Sequence, residues 1–387
     1  MNIAIFWPSV GGPTEAKIAR KEIELLSLLG NNVELLLIEG NIPAKFKELL
    51  GAIKLECLAN HVPSLFRLNF RLPGFSFFSL SHLTSPLYSP IAFCKKYDAV
   101  VAHTTLACLT AYTLRKYRGQ PYVAFIWDPI SCILQKVYQD ARLRYLLPLL
   151  VPLGANLDRS ISDAADVVIL PSRYYLNHMK NVTRKPIQIV RPGTDPATKV
   201  PDARGDYLLA VARWESGKRP FFLLDILSGL KKRGIRARLS MAGRWRSQGL
   251  YAKFLKEAKR REVLDLVNIC GYVNEAELGK LYFSARVLVN TITESFSMTG
   301  LEAAAHGAPV VIPKGTGVTE LLEEGVQGFF PVAGDIDGYV ESIGKLVLNE
   351  RMAWRMGLEG WKVTKQYTWE KHAETLNLCL ERITHHT

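Results

Sequence analysis

Glu294 and Glu302 stand eight positions apart in the stretch Glu294-Ser-Phe-Ser-Met-Thr-Gly-Leu-Glu302. The apolar run Val287-Leu-Val-Asn-Thr-Ile292 before it predicts a strand, and the alanine-rich run after it predicts a helix opening near Ser297. A helix that opens there presents its first unpaired backbone N–H groups as a cradle for an anion. Glu302 then lies one turn inside, roughly 6–8 Å along the axis from the cradle at about 1.5 Å per residue. Glu294 precedes the cradle, in the loop. Carboxylates bind hydroxyl groups, so this order suits a ligand built as sugar, diphosphate and ribose. An acidic residue near a helix start also favours the helix dipole on its own account, so the rest of the chain has to decide.

Two cations point the same way. Arg213 and Lys218, in Arg213-Trp-Glu-Ser-Gly-Lys218, follow another predicted strand and flank Gly217. A departing diphosphate needs its charge met by cationic side chains, helix amides or a metal. Gly11-Gly12-Pro13 sits between the first strand and the first helix, where a bare backbone can approach a phosphate or a sugar. Asp128, in Ile126-Trp-Asp-Pro129, and His103, in Val101-Ala-His-Thr104, end strands of the first half and are candidates for acceptor contact or proton transfer. A structural role competes for each, and for His103 it is the stronger reading. Asp335-Ile-Asp337 looks like a metal-binding pair but opens a helical stretch, so it reads as a helix cap, and no metal site is predicted. Neither a G-x-G-x-x-G fingerprint nor a P-loop is present.

The elements that position these residues alternate between strand and helix. Candidate strands are Asn2–Phe6, Val33–Ile38, Ala99–Ala102, Tyr122–Ile126 and Val167–Leu170, then Tyr207–Ala212, Ala237–Ala242, Val267–Cys270, Val287–Ile292, Pro309–Ile312 and Gly328–Val332. Amphipathic segments such as Thr14–Leu29, Arg219–Arg233, Gly249–Arg261 and Glu275–Phe283 lie between them. This rhythm predicts an α/β chain of two Rossmann-like parallel-sheet domains, with ligands taken in a central cleft at the carboxyl ends of the strands. The expected organisation is a first domain over 1–191, a turn-rich linker over 192–206, a nucleotide-sugar domain over 207–366 and a final helical segment over 367–387 returning to the first domain.

Composition narrows the class. With 48% hydrophobic and 22% charged residues, the 387-residue chain is that of a globular protein with two ordinary cores. Six scattered cysteines without a CxxC pair argue against a zinc site and suit a reducing compartment. Met1–Trp7 reads as a first strand and not as a signal peptide, so a cytoplasmic location is expected. The net charge of +13 leans to the first half: residues 1–197 hold 22 Lys+Arg against 14 Asp+Glu. No nucleic-acid motif accompanies it, so nucleic acid is not an expected partner. Residues 57–97 contain no Asp or Glu at all and are rich in Phe, with Arg67, Arg71, Lys95 and Lys96. They read either as a segment packed over the first core or as a peripheral contact with an anionic membrane face, presenting a lipid-linked acceptor. Tyr145–Gly154 is a second apolar run, short and broken by proline, and reads as a helix at the rim of the cleft.

Taken together, the ordered motifs resemble those of retaining glycosyltransferases of family 4, which have the glycosyltransferase B fold. The resemblance is carried by Glu294 to Gly328 with its E-x7-E pattern, by His306-Gly-Ala-Pro-Val-Val311, and by Tyr97–His103, Ala165–Ser172, Arg191–Asp195 and Cys270–Val273. It implies that Glu302 binds the ribose of a nucleotide sugar and Glu294 the transferred sugar. It further implies that Arg213 and Lys218 hold the diphosphate, helped by amides around Met298, Thr299 and Gly300. Gly271 and Val273 would lie against the base, and Gly243 stands where the family carries a glycine pair, here interrupted by Arg244-Trp245. Gly11 and Gly12 would approach the donor. Trp127-Asp128 stands where the family often has His-Asp, so Asp128 is carried over as a cleft residue. The implied reaction is metal-independent, cofactor-free transfer from a nucleoside-diphosphate sugar to a glycan or lipid-linked acceptor. Rival readings are a sugar-nucleotide epimerase, a glycan phosphorylase, or a non-catalytic nucleotide-sugar sensor.

Overall fold

In a computed structural model of the chain, residues 1–9, 12–38, 53–57, 84–87, 89–90, 95–138 and 145–384 are described. The chain forms two units, Met1–Gly193 with Trp369–Thr387, and Thr194–Thr368. The first is built on strands β1 (Asn2–Trp7), β2 (Asn32–Leu37), β3 (Leu55–Cys57), β4 (Ala99–His103), β5 (Tyr122–Phe125), β6 (Val167–Leu170) and β7 (Ile187–Ile189). They pair in the order β3-β2-β1-β4-β5-β6-β7, every pair parallel. Their apolar runs are nearly continuous because helices cover both faces of a parallel sheet. Ile3 to Phe6, Ala99 to Ala102 and Tyr122 to Phe125 are accordingly inaccessible.

The second unit holds β8 (Tyr207–Val211), β9 (Arg238–Ala242), β10 (Val267–Gly271), β11 (Val287–Val289), β12 (Val310–Val311) and β13 (Gly328–Phe329). Their order is β10-β9-β8-β11-β12-β13, again all parallel. One core packs Leu208, Ala210, Leu239 and Met241 against helix Pro220–Lys232 and helix Ile336–Leu348. Strand order reverses between β8 and β11, and a sheet of this kind opens its ligand crevice at such a reversal. Arg213 and Lys218 follow β8; Glu294 follows β11.

Two differences from the sequence reading have physical causes. Strand β11 stops at Val289, short of Ile292, because Asn290 turns the chain: its Oδ1 accepts the Ile292 amide at 3.2 Å. The stretch expected as a linker is mostly part of the second unit. Trp361 Nε1 donates to Ala197 O at 2.7 Å and Trp354 Nε1 to Pro201 O at 2.9 Å. Arg204 is buried, donating to Phe283 O at 2.8 Å and to Gly307 O, and burial lowers its pKa to about 10. The proline-broken run Tyr145–Gly154 is helical as expected, within a longer helix, Leu147–Ala164, that continues through Pro152. Most of residues 57–97, including the aromatic stretch, lies outside the described residues.

Candidate active site

The loop after β11 is organised by one amide side chain. Asn290 Nδ2 donates to Glu294 Oε1 at 2.8 Å and to Ser297 Oγ at 3.1 Å, while its carbonyl accepts the Tyr339 hydroxyl at 2.7 Å. Ser297 is the N-cap of helix Met298–Ala305, its Oγ accepting the Gly300 amide at 3.3 Å. Among the described residues the amides of Met298 and Thr299 donate to no partner. They are the donors a bound anion needs. Gly300 is fixed by packing: a Cβ there would stand 2.6 Å from Ile312 Cδ1.

Lys218 reaches this loop from β8. Its Nζ lies 2.9 Å from Glu294 Oε2, and its carbonyl accepts Thr291 Oγ1 at 3.2 Å. The pair sits at the strand reversal and both side chains are partly exposed. Arg213, in the same loop, is exposed, and among the described residues nothing pairs with it. The structure thus joins Lys218 to Glu294 directly and leaves Arg213 open to solvent nearby in sequence. Glu302 is half-buried and accepts the Tyr282 hydroxyl at 3.1 Å. Burial, and then the Glu302 charge, push the Tyr282 phenol well above its ordinary value, so it stays a donor.

The ends of β8, β9 and β10 are zipped together beside these groups. Trp214 donates its amide to Arg244 O at 2.8 Å and its indole N–H to Ala242 O at 3.1 Å. Gly243 donates to Gly271 O at 2.6 Å, with φ +115, and a Cβ on it would fall 1.8 Å from Ala212 O. Gly243 is therefore a requirement of the close approach between these loops, whatever it does for a base. Gly243→Ala should destabilise the second unit by about 1–3 kcal/mol, the range for a strained backbone position. Urea unfolding would show it, and an unchanged midpoint would contradict the clash. Gly271 has φ +66 with open space around its Cβ position, and Val273 follows, half-buried. Arg244 stacks its guanidinium over the Tyr272 ring at 4.7 Å.

In the first unit, Asp128 follows β5, and its carbonyl accepts Thr105 Oγ1 at 2.9 Å. Burial, then the Asp128 carboxylate, push the Tyr175 phenol up, so the two side chains face each other. His103 is wholly buried. Trp7 stacks on one face of its ring at 4.4 Å and Phe125 on the other at 4.7 Å. Its nitrogens face Trp127 Nε1 at 3.4 Å and Glu22 at 2.9 Å. A ring sealed on every side cannot touch an acceptor, so His103 is a structural residue. Gly12 is the N-cap of helix Pro13–Leu28, with Pro13 in the first turn; Gly11 lies outside the described residues. Asp335 caps helix Ile336–Leu348, its Oδ1 accepting the Gly338 amide at 3.1 Å, and Asp337 pairs with Arg233 at 3.0 Å.

Sequence reasoning passes over Asn290, Tyr282 and Tyr339, the residues that hold Glu294 and Glu302. An asparagine closing a buried strand, one turn before an acidic loop, is the only signal for the first. The two tyrosines are apolar positions of amphipathic helices, and nothing in the pattern marks their hydroxyls.

Two parallel-sheet α/β units of this kind define the glycosyltransferase B fold. Residues 194–362, within the second unit, match the family described as glycosyl transferases group 1. Among curated relatives, D-inositol 3-phosphate glycosyltransferase of Corynebacterium jeikeium is 23% identical over 76% of this chain and 75% of its own length. Mannosylfructose-phosphate synthase of Agrobacterium fabrum is 28% identical, over 51% of this chain and 48% of its own. Against several of these relatives the match spans only about half their length. Among solved structures, sucrose-phosphate synthase from Thermosynechococcus elongatus superposes with a TM-score of 0.79 at 16% identity, covering 100% of both chains. Anabaena HepE in complex with UDP and glucose gives 0.75 at 17%, over 99% of this chain and 100% of that one.

Proposed function

We propose that the protein transfers a sugar from a nucleoside-diphosphate sugar to a glycan or lipid-linked acceptor, with retention at the anomeric carbon. One observation carries this reading: Lys218 and Glu294 meet at the reversal of the second sheet, next to the unpaired amides that open helix Met298–Ala305. Lys218, the open Arg213 and those amides meet the charge of the diphosphate, and no metal is needed for that task. Glu294, already turned by Lys218 and Asn290, takes hydroxyls of the transferred sugar. Glu302, aimed by Tyr282, takes the ribose. The base lies along Gly271 and Val273, with Gly243 shaping the loop beneath.

Both oxygens of Glu294 are engaged by neighbours, which suits a hydroxyl-binding group better than a free nucleophile. Retention then follows a front-face course. The bond from the anomeric carbon to the diphosphate oxygen breaks, and that oxygen takes the acceptor's proton as the new bond forms on the same face. Asp128 is the candidate residue for acceptor contact within the first unit.

The test is release of nucleoside diphosphate from a donor panel, starting with UDP-glucose because the Anabaena neighbour's structure holds UDP and glucose. Glu302→Ala should weaken donor binding about tenfold to a hundredfold, the worth of hydrogen bonds to a charged group. Unchanged affinity in that variant, measured by calorimetry, would remove the ribose assignment. An epimerase would alter the sugar without releasing the diphosphate, and a phosphorylase would require inorganic phosphate, so the same assay separates both rivals.

A further inference from the structure

The helix Leu147–Ala164 of the first unit packs Leu147, Leu150 and Val151 against Ile130 and Leu134, buries Asp158 and Ser162, and yet leaves Leu149, Leu153 and Leu157 exposed. Its buried positions are Gly154, Asp158, Ile161 and Ser162. Asp158 accepts the amides of Ile130 and Ser131 at 2.9 and 3.0 Å and the Ser131 hydroxyl at 2.7 Å, so it caps the neighbouring helix Ile130–Tyr138. Gly154 lets the two helices close: a Cβ on it would stand 3.0 Å from Leu134 Cδ1. The outer face carries Leu146 at 48% exposure, Leu149 at 63%, Leu153 at 52% and Leu157 at 39%, with Tyr145 at 74% before them. Pro148 and Pro152 are exposed between these leucines. A helix facing water has the opposite arrangement.

We propose that this face docks on an anionic lipid surface. The spacing 146, 149, 153, 157 aligns the leucines in one stripe along the helix. The first two turns expose no charge at all, which suits shallow insertion between headgroups. From Ala141 to Leu157 the sequence has no Asp or Glu, while Arg142 and Arg144 precede the stripe and exposed Arg159 ends it. The acidic residue that closes that run, Asp158, is buried under the helix and puts no negative charge on the face. The excess of 22 Lys+Arg over 14 Asp+Glu in residues 1–197 adds a long-range attraction of the same sign. Among the described residues no helix is long and apolar enough to cross a membrane, so the contact is peripheral.

The experiment is flotation of the full chain with vesicles of phosphatidylglycerol and phosphatidylcholine, and with phosphatidylcholine alone, at low salt. The wild type should float with the anionic vesicles, and Leu149→Glu/Leu153→Glu should lower that partition by about tenfold or more, as expected when apolar contact is lost and like charge is brought to the surface. Circular dichroism checks the fold of the variant, and Leu149→Gln alone serves if the double variant does not fold. Release of nucleoside diphosphate without vesicles should match the wild type. Failure of the wild type to float overturns the proposal, as does equal flotation of wild type and variant or equal binding to neutral vesicles. A wild-type dimer that the variant abolishes, without vesicle binding, would make the face a contact between two copies.

Discussion

Lys218→Met should reduce turnover about 10²–10³-fold, the loss that follows removal of one charge-stabilising group from a reaction centre. In the protein as it stands, the ammonium is held 2.9 Å from Glu294 and is still about one-third exposed. It is therefore placed by a partner yet open to a ligand. When the bond to the diphosphate breaks, negative charge grows on the departing oxygen, and a nearby cation gains more in that state than in the ground state. Turnover should consequently fall further than donor affinity. The substitution also leaves Glu294 without its counter-charge, so Glu294→Gln in the same background separates the two effects. Lys218→Arg should recover only part of the activity, because a planar fork cannot put its charge where a compact ammonium sits. Single-turnover release of nucleoside diphosphate reads all of these variants. A Lys218→Met protein with wild-type turnover would leave the ion pair a surface contact and the proposed reaction without its cation.

The parts of the fold that depend on burial are the parts visible in the sequence. Runs such as Ile3–Trp7 and Val100–Ala102 are apolar throughout because both faces of each sheet are covered, and they announce central strands. The edge strands Leu55–Cys57 and Ile187–Ile189 are short and only partly buried, so their composition barely departs from that of a loop. In the candidate site, Ser297 and the carboxylates on either side of it follow from capping chemistry, and the helix begins at Met298 as that chemistry requires. What escapes the sequence is contact between distant positions. Glu302 meets Tyr282 across twenty residues and Lys218 meets Glu294 across seventy-six, separations that no local period records. The inward turn of Asp158 is hidden for the same reason: a carboxylate beside Arg159 on a helix reads as solvent-facing until the helix it caps is in place.

Glu22 is the sharpest example, and the fold of the first unit depends on it. In Arg20-Lys21-Glu22-Ile23-Glu24 it reads as one more surface charge, yet it is wholly inaccessible. Its Oε1 lies 2.9 Å from His372 Nε2, and its Oε2 lies 2.9 Å from His103 Nε2, the latter at angles outside hydrogen-bond geometry. His372 Nδ1 faces Arg191 O at 2.8 Å. Burial alone would raise the Glu22 carboxyl, but the close approach of His103 and the hydrogen bond of His372 outweigh it and hold the pKa at about 2. Glu22→Gln removes the buried carboxylate that both histidines face, and breaking a buried charged contact of this kind costs about 3–5 kcal/mol. For a unit of this size that should lower the thermal midpoint by roughly 10 °C. A depressed carboxyl stabilises the fold above its unfolded value of 4.5, and the stabilisation drains away as pH falls from there toward about 2. The gap between wild type and Glu22→Gln should therefore be widest near neutrality and shrink at pH values below 4.5. Adding His372→Gln to the variant should cost less than the sum of the two single losses, because the two side chains share one buried contact. Equal midpoints for wild type and Glu22→Gln at neutral pH would mean that the C-terminal helix is held by its apolar contacts alone.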